Sequence, residues 1–173
     1  MKKILFLIGM PGAGKSFWGL RLANYFQLPF VDTDNLIEQL EGFSVQQIFK
    51  QKGEPSFRQL ESKVLQQIIF TAETPLIVSC GGGLPIYPDN FNRMQQAGII
   101  VYLNTSLDLI ECRIRTESQT RPLLENKPHL RFYLEELFLQ RHDIYSKADF
   151  IIQADHLSIH DFEPILRACI EQH

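Results

Sequence analysis

Eight residues decide most of what this chain can fold into. Gly9 to Ser16 read Gly-Met-Pro-Gly-Ala-Gly-Lys-Ser, a G-x-x-x-x-G-K-S pattern. It follows the apolar run Ile4-Leu5-Phe6-Leu7-Ile8 and leads into a helix-period segment at 15–26. A buried strand, a glycine loop and a helix in that order make a phosphate cradle. Gly9, Gly12 and Gly14 let backbone N–H groups close round phosphate oxygens with no side chain in the way. The helix adds unpaired N–H groups and the positive end of its dipole. Lys15 can reach β- and γ-phosphates, and the Ser16 hydroxyl can ligate Mg²⁺.

The apolar run also decides how the N-terminus is read. Met1-Lys2-Lys3 ahead of it has the start of a secretory signal, but five apolar residues fall short of the roughly 7–15 such a signal needs. No other stretch approaches the roughly 18 apolar residues of a membrane span. A soluble, cytoplasmic protein with no membrane partner is expected. The 173 residues suit one domain, 1–173, with a single core, and 45% hydrophobic content excludes a wholly disordered chain. With 17 Lys+Arg against 20 Asp+Glu, the net charge of −3 argues against non-specific nucleic-acid binding. Cys80, Cys112 and Cys169 are odd in number and widely spaced, neither a disulfide framework nor a zinc site.

Strand-like runs at 4–8, 29–31, 75–80, 99–103 and 149–152 alternate with helical patterns at about 15–26, 35–51, 56–71, 90–96, 106–115, 130–146 and 158–172. This alternation predicts an α/β fold, a parallel sheet covered on both faces by helices. Residues 117–128 carry two prolines and no helical stripe, and read as a long surface loop. A phosphate loop (P-loop) does not name a reaction. The base-reading N/T-K-x-D of GTPases is missing, since Asn126-Lys127-Pro128-His129 lacks the aspartate. The strand Leu76–Cys80 runs into three glycines rather than ending in the aspartate of motor-type ATPases. Both comparisons point to small-molecule kinases.

Further candidates lie along the chain. Asp32-Thr33-Asp34 ends a short strand; Asp32 can hold Mg²⁺ through water, and Asp34 can accept a proton or hydrogen bond from a substrate hydroxyl, or simply cap the next helix. Arg58 and Glu61 are i, i+3 neighbours, so Glu61 can aim the guanidinium at a carboxylate, or the two form a surface salt bridge. Arg141 falls on the apolar stripe Leu130, Leu134, Leu137, Phe138 and Tyr145. It therefore needs an anion, from a protein carboxylate or a ligand. Gly81-Gly82-Gly83 allow close approach of another molecule, or make a tight turn. Arg121, in the loop, can close over a transferring phosphate. Arg113 and Arg115 either serve a nucleotide or are solvated.

Taken in order, these segments closely resemble the shikimate kinases, from residue 4 to about residue 152. The matching motifs are the P-loop at 9–16, Asp32-x-Asp34, Gly53-Glu54-x-x-Phe57-Arg58-x-x-Glu61 and Gly81-Gly82-Gly83. Arg121-Pro122-Leu123-Leu124 and Arg141-x-x-x-Tyr145 followed by Ala148-Asp149 complete the set. The resemblance implies a three-layer P-loop fold with a five-stranded parallel sheet in order 2-3-1-4-5. It also implies a substrate-binding region at about 32–61 and a lid at about 117–128. The implied reaction is ATP + shikimate → 3-phosphoshikimate + ADP, with Mg²⁺, in aromatic amino-acid biosynthesis; separately, no surface stripe asks for a partner, so a monomer is expected. It further implies that Gly12, Ala13, Gly14, Lys15, Ser16 and Phe17 hold ATP and that Ser16 with Asp32 organises Mg²⁺. Asp34 would bind shikimate hydroxyls and act as base. Arg58 and Arg141 would hold the carboxylate, Gly81, Gly82 and Gly83 would line the site, and Phe49 and Phe57 would pack near the ring. Arg121 would be the lid arginine and Arg115 would stack on adenine, with an adenine-contacting turn within 153–157.

Overall fold

Along the first strand, β1 (Ile4–Ile8), every side chain is buried. Successive strand side chains point to opposite faces, so a strand buried throughout must be covered on both. A computed structural model describes residues 4–116 and 129–170. On one face Ile4, Phe6 and Ile8 join Leu65, Ile68, Met94, Leu134 and Leu137. On the other, Leu5 and Leu7 join Trp18, Leu22, Phe162 and Leu166. Full burial of each such side chain contributes about 1.5–3 kcal/mol, which makes these two layers the main stabilising feature.

The elements follow the expected alternation: β1, α1 (Lys15–Phe26), β2 (Phe30–Asp32), α2 (Thr33–Glu41), α3 (Val45–Thr71), β3 (Leu76–Ser79), α4 (Asn90–Ala97), β4 (Gly98–Asn104), α5 (Leu107–Thr116), α6 (Leu130–Tyr145), β5 (Phe150–Gln153) and α7 (Glu163–Ile170). All pairings are parallel, in the order β2-β3-β1-β4-β5. That is the order the resemblance implied. From β1 the chain builds β2 and β3 to one side, then crosses to the other for β4 and β5. The C-terminal strand ends at such a crossing form the natural ligand crevice. Among the described residues no helix is long and apolar enough to cross a membrane.

Several helical boundaries differ from the sequence reading. The single helix expected at 35–51 is two helices. Gly42 ends α2 in the left-handed conformation (φ 71°), and Ser44 opens α3 through a reciprocal capping box with Gln47. These local hydrogen bonds outcompete a continuous apolar spacing. Helix α3 then runs past the gap left at 52–55 but kinks at Gly53, whose φ of 76° and ψ of 168° are non-helical. The segment expected as one helix at 158–172 begins with a 3₁₀ turn, Ile159–Asp161, capped by Ser158, and only then enters α7. The expected lid, 117–128, lies outside the described residues.

Candidate active site

The C-terminal ends of β1, β2 and β3 open on one cavity of about 960 Å³. Its floor is the P-loop between β1 and α1. Gly12 and Gly14 adopt φ of 81° and 92°, a conformation that L side chains resist. Lys15, only 8% exposed, donates from Nζ to the carbonyls of Gly9 (3.0 Å) and Met10 (2.9 Å). The lysine thus follows the loop and keeps its charge beside the cradle. Ala13 is buried, packing into the layer around Leu5 and Leu7, and its carbonyl accepts from Thr105 Oγ1 at 3.1 Å. Phe17 is 62% exposed, lines the cavity, and meets Trp18 edge-to-face at 5.5 Å.

Beside the loop, Ser16 Oγ donates to Asp32 Oδ2 at 2.6 Å and lies 3.3 Å from Ser79 Oγ. The other Asp32 oxygen, Oδ1, accepts from the Asp34 and Asn35 backbone N–H groups. Asp32, not Asp34, is therefore the helix cap, and α2 starts two residues earlier than its periodicity suggested. Asp34 sits in the first helical turn, and its side chain is free of capping work. Its Oδ1 is buried without a hydrogen-bond partner among the described residues. Burial raises the Asp34 pKa to about 6, helped by the Asp32 charge and opposed by Lys15 and Arg58.

On the far side, α3 brings Arg58 and Glu61 together as the i, i+3 spacing predicted. Arg58 Nη1 donates to Glu61 Oε2 at 2.7 Å, and Nη2 donates to Glu54 Oε1 at 2.7 Å. Glu61 is 1% exposed, so this is not a surface salt bridge. Burial pushes the Glu61 carboxyl up to about 7 although Arg58 pulls it down. The tilted Phe49–Phe57 pair, centroids 4.6 Å apart, lies under the guanidinium, whose Cζ is 5.9 Å and 5.7 Å from the two rings.

Gly81, Gly82 and Gly83 explain themselves by space. A Cβ on Gly81 would come within 2.5 Å of both Asp34 Oδ1 and Glu61 Oε1. One on Gly82 would lie 2.9 Å from Arg141 Nη1, and one on Gly83 2.0 Å from Arg58 Nη1. Four charged side chains from α2, α3 and α6 therefore crowd one backbone segment after β3. Asp34 Oδ1, Glu61 Oε1 and Arg141 Nη1 are each buried and unpartnered. Buried polar atoms left unpaired are costly; three converging on one cavity are groups placed for a ligand. Arg141 does face inward from the apolar stripe of α6, and among the described residues no carboxylate satisfies its Nη1.

The nucleotide side departs from the sequence reading at one residue. Arg115 is 64% exposed on its side chain, pairs with Glu111 at 2.7 Å and does not line the cavity. Arg113 does line it, donating from Nη1 to the Gly12 carbonyl at 3.2 Å. Residues two apart on a helix point about 200° apart, so only one of them can face the loop. The turn Ala154–Leu157, within the stretch 153–157, borders the cavity. Arg121 lies outside the described residues. Thr33, Ser79 and Tyr145 join the site although the sequence assigns them no role there. Thr33 Oγ1 accepts from the Gly81 N–H at 2.8 Å, and the Tyr145 hydroxyl bonds the glycine loop from α6. The signals available were that Thr33 lies inside Asp32-x-Asp34, that Tyr145 closes Arg141-x-x-x-Tyr145, and that Ser79 ends the strand before Cys80 and the three glycines.

A family model described as shikimate kinase matches residues 11–171. A shikimate kinase of Clostridium botulinum (strain ATCC 19397 / Type A) is 42% identical over 147 residues, 84% of each chain. One of Sulfurihydrogenibium sp. (strain YO3AOP1) is 39% identical over 153 residues, 88% of this chain and 89% of the relative. Among solved structures, shikimate kinase from Acinetobacter baumannii in complex with shikimate superposes with a TM-score of 0.85 at 30% identity, covering 97% of this chain and 93% of that one. Shikimate kinase from Bacteroides thetaiotaomicron gives 0.87 at 32% identity, with 97% and 98% covered. The family model, the relatives and the fold agree: the chain belongs to the shikimate kinase family.

Proposed function

We propose that this chain transfers the γ-phosphate of ATP to the 3-hydroxyl of shikimate, giving 3-phosphoshikimate and ADP on the route to chorismate and the aromatic amino acids. The observation that carries this reading is the charged set around Gly81–Gly83, in which Asp34 Oδ1, Glu61 Oε1 and Arg141 Nη1 are buried without partners among the described residues. Two guanidinium groups, Arg58 and Arg141, and two carboxylates, Asp34 and Glu61, frame a space for a small hydroxylated carboxylate. Arginine suits the carboxylate because its donor fork matches two oxygens. Asp34, raised to about 6, is ionised at neutral pH and remains basic enough to accept a hydroxyl proton. Phe49 and Phe57 offer the ring an apolar wall.

Gly12 to Phe17 hold the ATP phosphates in this reading, with Lys15 turning from the loop carbonyls towards the β- and γ-oxygens. Arg113 takes the nucleotide-side place expected of Arg115, because it is the one that borders the cavity. Arg121 adds positive charge at the transferring phosphate, as the family pattern implies. Ser16 and Asp32 would hold Mg²⁺. A hydroxyl that donates to a carboxylate keeps its lone pairs for a cation, and the Ser79 hydroxyl is close by. Among the described residues no group of three or more His, Cys, Asp or Glu gathers as a cage, which fits Mg²⁺, an ion that keeps several waters beside one or two protein oxygens. Bound there, Mg²⁺ supplies charge to offset that of the phosphates. Residues 32–61 form the acceptor region of one kinase domain that works as a cytoplasmic monomer without nucleic acid.

Rates of ADP release with shikimate, gluconate and nucleoside monophosphates as acceptors test the assignment. Shikimate is expected to be the fastest by at least about tenfold, the scale of one lost ion-paired contact. A faster rate with either alternative contradicts it.

A further inference from the structure

The donor and acceptor loops are joined by one side chain. Tyr145, fully buried near the end of α6, places its hydroxyl 3.2 Å from the Gly9 carbonyl and also within hydrogen-bond distance of the Gly82 carbonyl. Gly9 opens the P-loop; Gly82 is the centre of the acceptor loop. A phenol has one proton to donate, so it satisfies these two carbonyls in turn and not together. Burial lifts the Tyr145 pKa to about 12, so that proton is present at any working pH. The Gly9 carbonyl has a second donor, Lys15 Nζ at 3.0 Å.

These contacts link the two sites. A phosphate that draws Lys15 away takes one donor from the buried Gly9 carbonyl. The Tyr145 proton then compensates by moving towards Gly9 and away from Gly82. The Gly82 carbonyl and the Gly83 N–H belong to one planar peptide, so releasing the carbonyl lets that N–H re-aim into the acceptor site. We propose that Tyr145 is a positioning residue that couples the two substrate sites, its hydroxyl passing nucleotide binding at Gly9 to the Gly82–Gly83 peptide. This deepens the reading of the chain as a shikimate kinase and rests on it.

The test measures shikimate affinity with and without saturating ADP in the wild type and in Tyr145→Phe. The wild type is expected to bind shikimate at least about threefold tighter with ADP, and by linkage ADP tighter with shikimate by the same factor. In Tyr145→Phe the factor falls to about one while each ligand alone binds within about threefold of wild type. No ADP effect in the wild type, or an undiminished effect in the variant, overturns the proposal. Amide hydrogen exchange in the wild type gives a readout that needs no variant. ADP alone should change protection at Gly83, and unchanged exchange there also overturns it. Shikimate failing to bind under any condition would contradict the assigned substrate, whereas the response of Gly83 to ADP alone would be unaffected.

Discussion

Arg58 is held from two sides, by Glu61 in the interior and by Glu54 towards solvent, so its fork is aimed before any ligand arrives. In the proposed reading, preorganisation of this kind would place the residue's contribution in acceptor binding. Arg58→Ala is expected to raise the KM for shikimate roughly 30-fold or more, the value of about 2 kcal/mol of charged hydrogen bonds. The KM for ATP should stay within about threefold; steady-state kinetics with each substrate varied checks both. Asp34 carries a pH dependence. Its carboxyl rises from 3.8 to about 6 and that of Glu61 to about 7, and the two titrate as a pair. Wild-type kcat/KM for shikimate therefore falls as pH drops through about 7 to 6. Asp34→Asn should cut kcat by about 10² or more and move the residual acid limb to lower pH, because the Asp34 charge helps hold the Glu61 carboxyl up. The same raised value lowers stability when the group ionises. Between the unfolded and folded values the native state binds more protons, so stability declines as pH rises through that window. Asp34→Asn should thus melt higher than wild type at about pH 8, by about 5 °C, and show little gain at about pH 4. Most of this chemistry was legible in the sequence, because Lys15, Ser16, Asp32, Arg58 and Arg141 sit in short motifs or on a periodic stripe. The choice between Arg113 and Arg115 was not, since both lie in the last turn of one helix and only its rotation separates them.

The loop after β3 and the start of β4 show how one residue type serves two ends. At Gly83 an added Cβ meets Arg58 Nη1 at 2.0 Å, the far end of a flexible chain; at Gly98 it meets the Ile4 carbonyl oxygen at 2.0 Å, rigid backbone of the neighbouring strand. Gly83→Ala is therefore expected to fold, with Arg58 displaced and shikimate affinity lost by about tenfold or more. Gly98→Ala should lose several kcal/mol by pushing β4 off β1. Melting temperature and shikimate titration of the two variants check the pair, and equal destabilisation would contradict the distinction. At this scale the strands were readable, because buried parallel strands are continuous apolar runs. The break at 42–44 was hidden inside an apolar spacing that continued across it. The long-range ties were invisible, since Thr33 and Gly81 are 48 residues apart and Tyr145 and Gly9 are 136 apart. No periodicity encodes such pairs; they appear only when the sheet order sets β1, β2 and β3 side by side.

For the molecule as a whole, the net charge of −3 describes the surface and not the site. Lys15, Arg58, Arg113 and Arg141 converge on one cavity from four different helices; Glu54 and Glu61 aim Arg58, while backbone carbonyls hold Lys15 and Arg113. Crossing from β3 over β1 to β4 is what opens the crevice, so the same topology that buries β1 on both faces also brings donor and acceptor loops together. In the proposed reading an anion cleft in an acidic chain is selective by placement: phosphates would lie at the helix N-terminus, a carboxylate between two arginines and hydroxyls against Asp34. The most direct test of this account is the identity of the product. Purified chain incubated with ATP, Mg²⁺ and shikimate should yield, by phosphorus and proton NMR, a single phosphomonoester on the 3-hydroxyl together with equimolar ADP. ADP accompanied by inorganic phosphate and unchanged shikimate would contradict it.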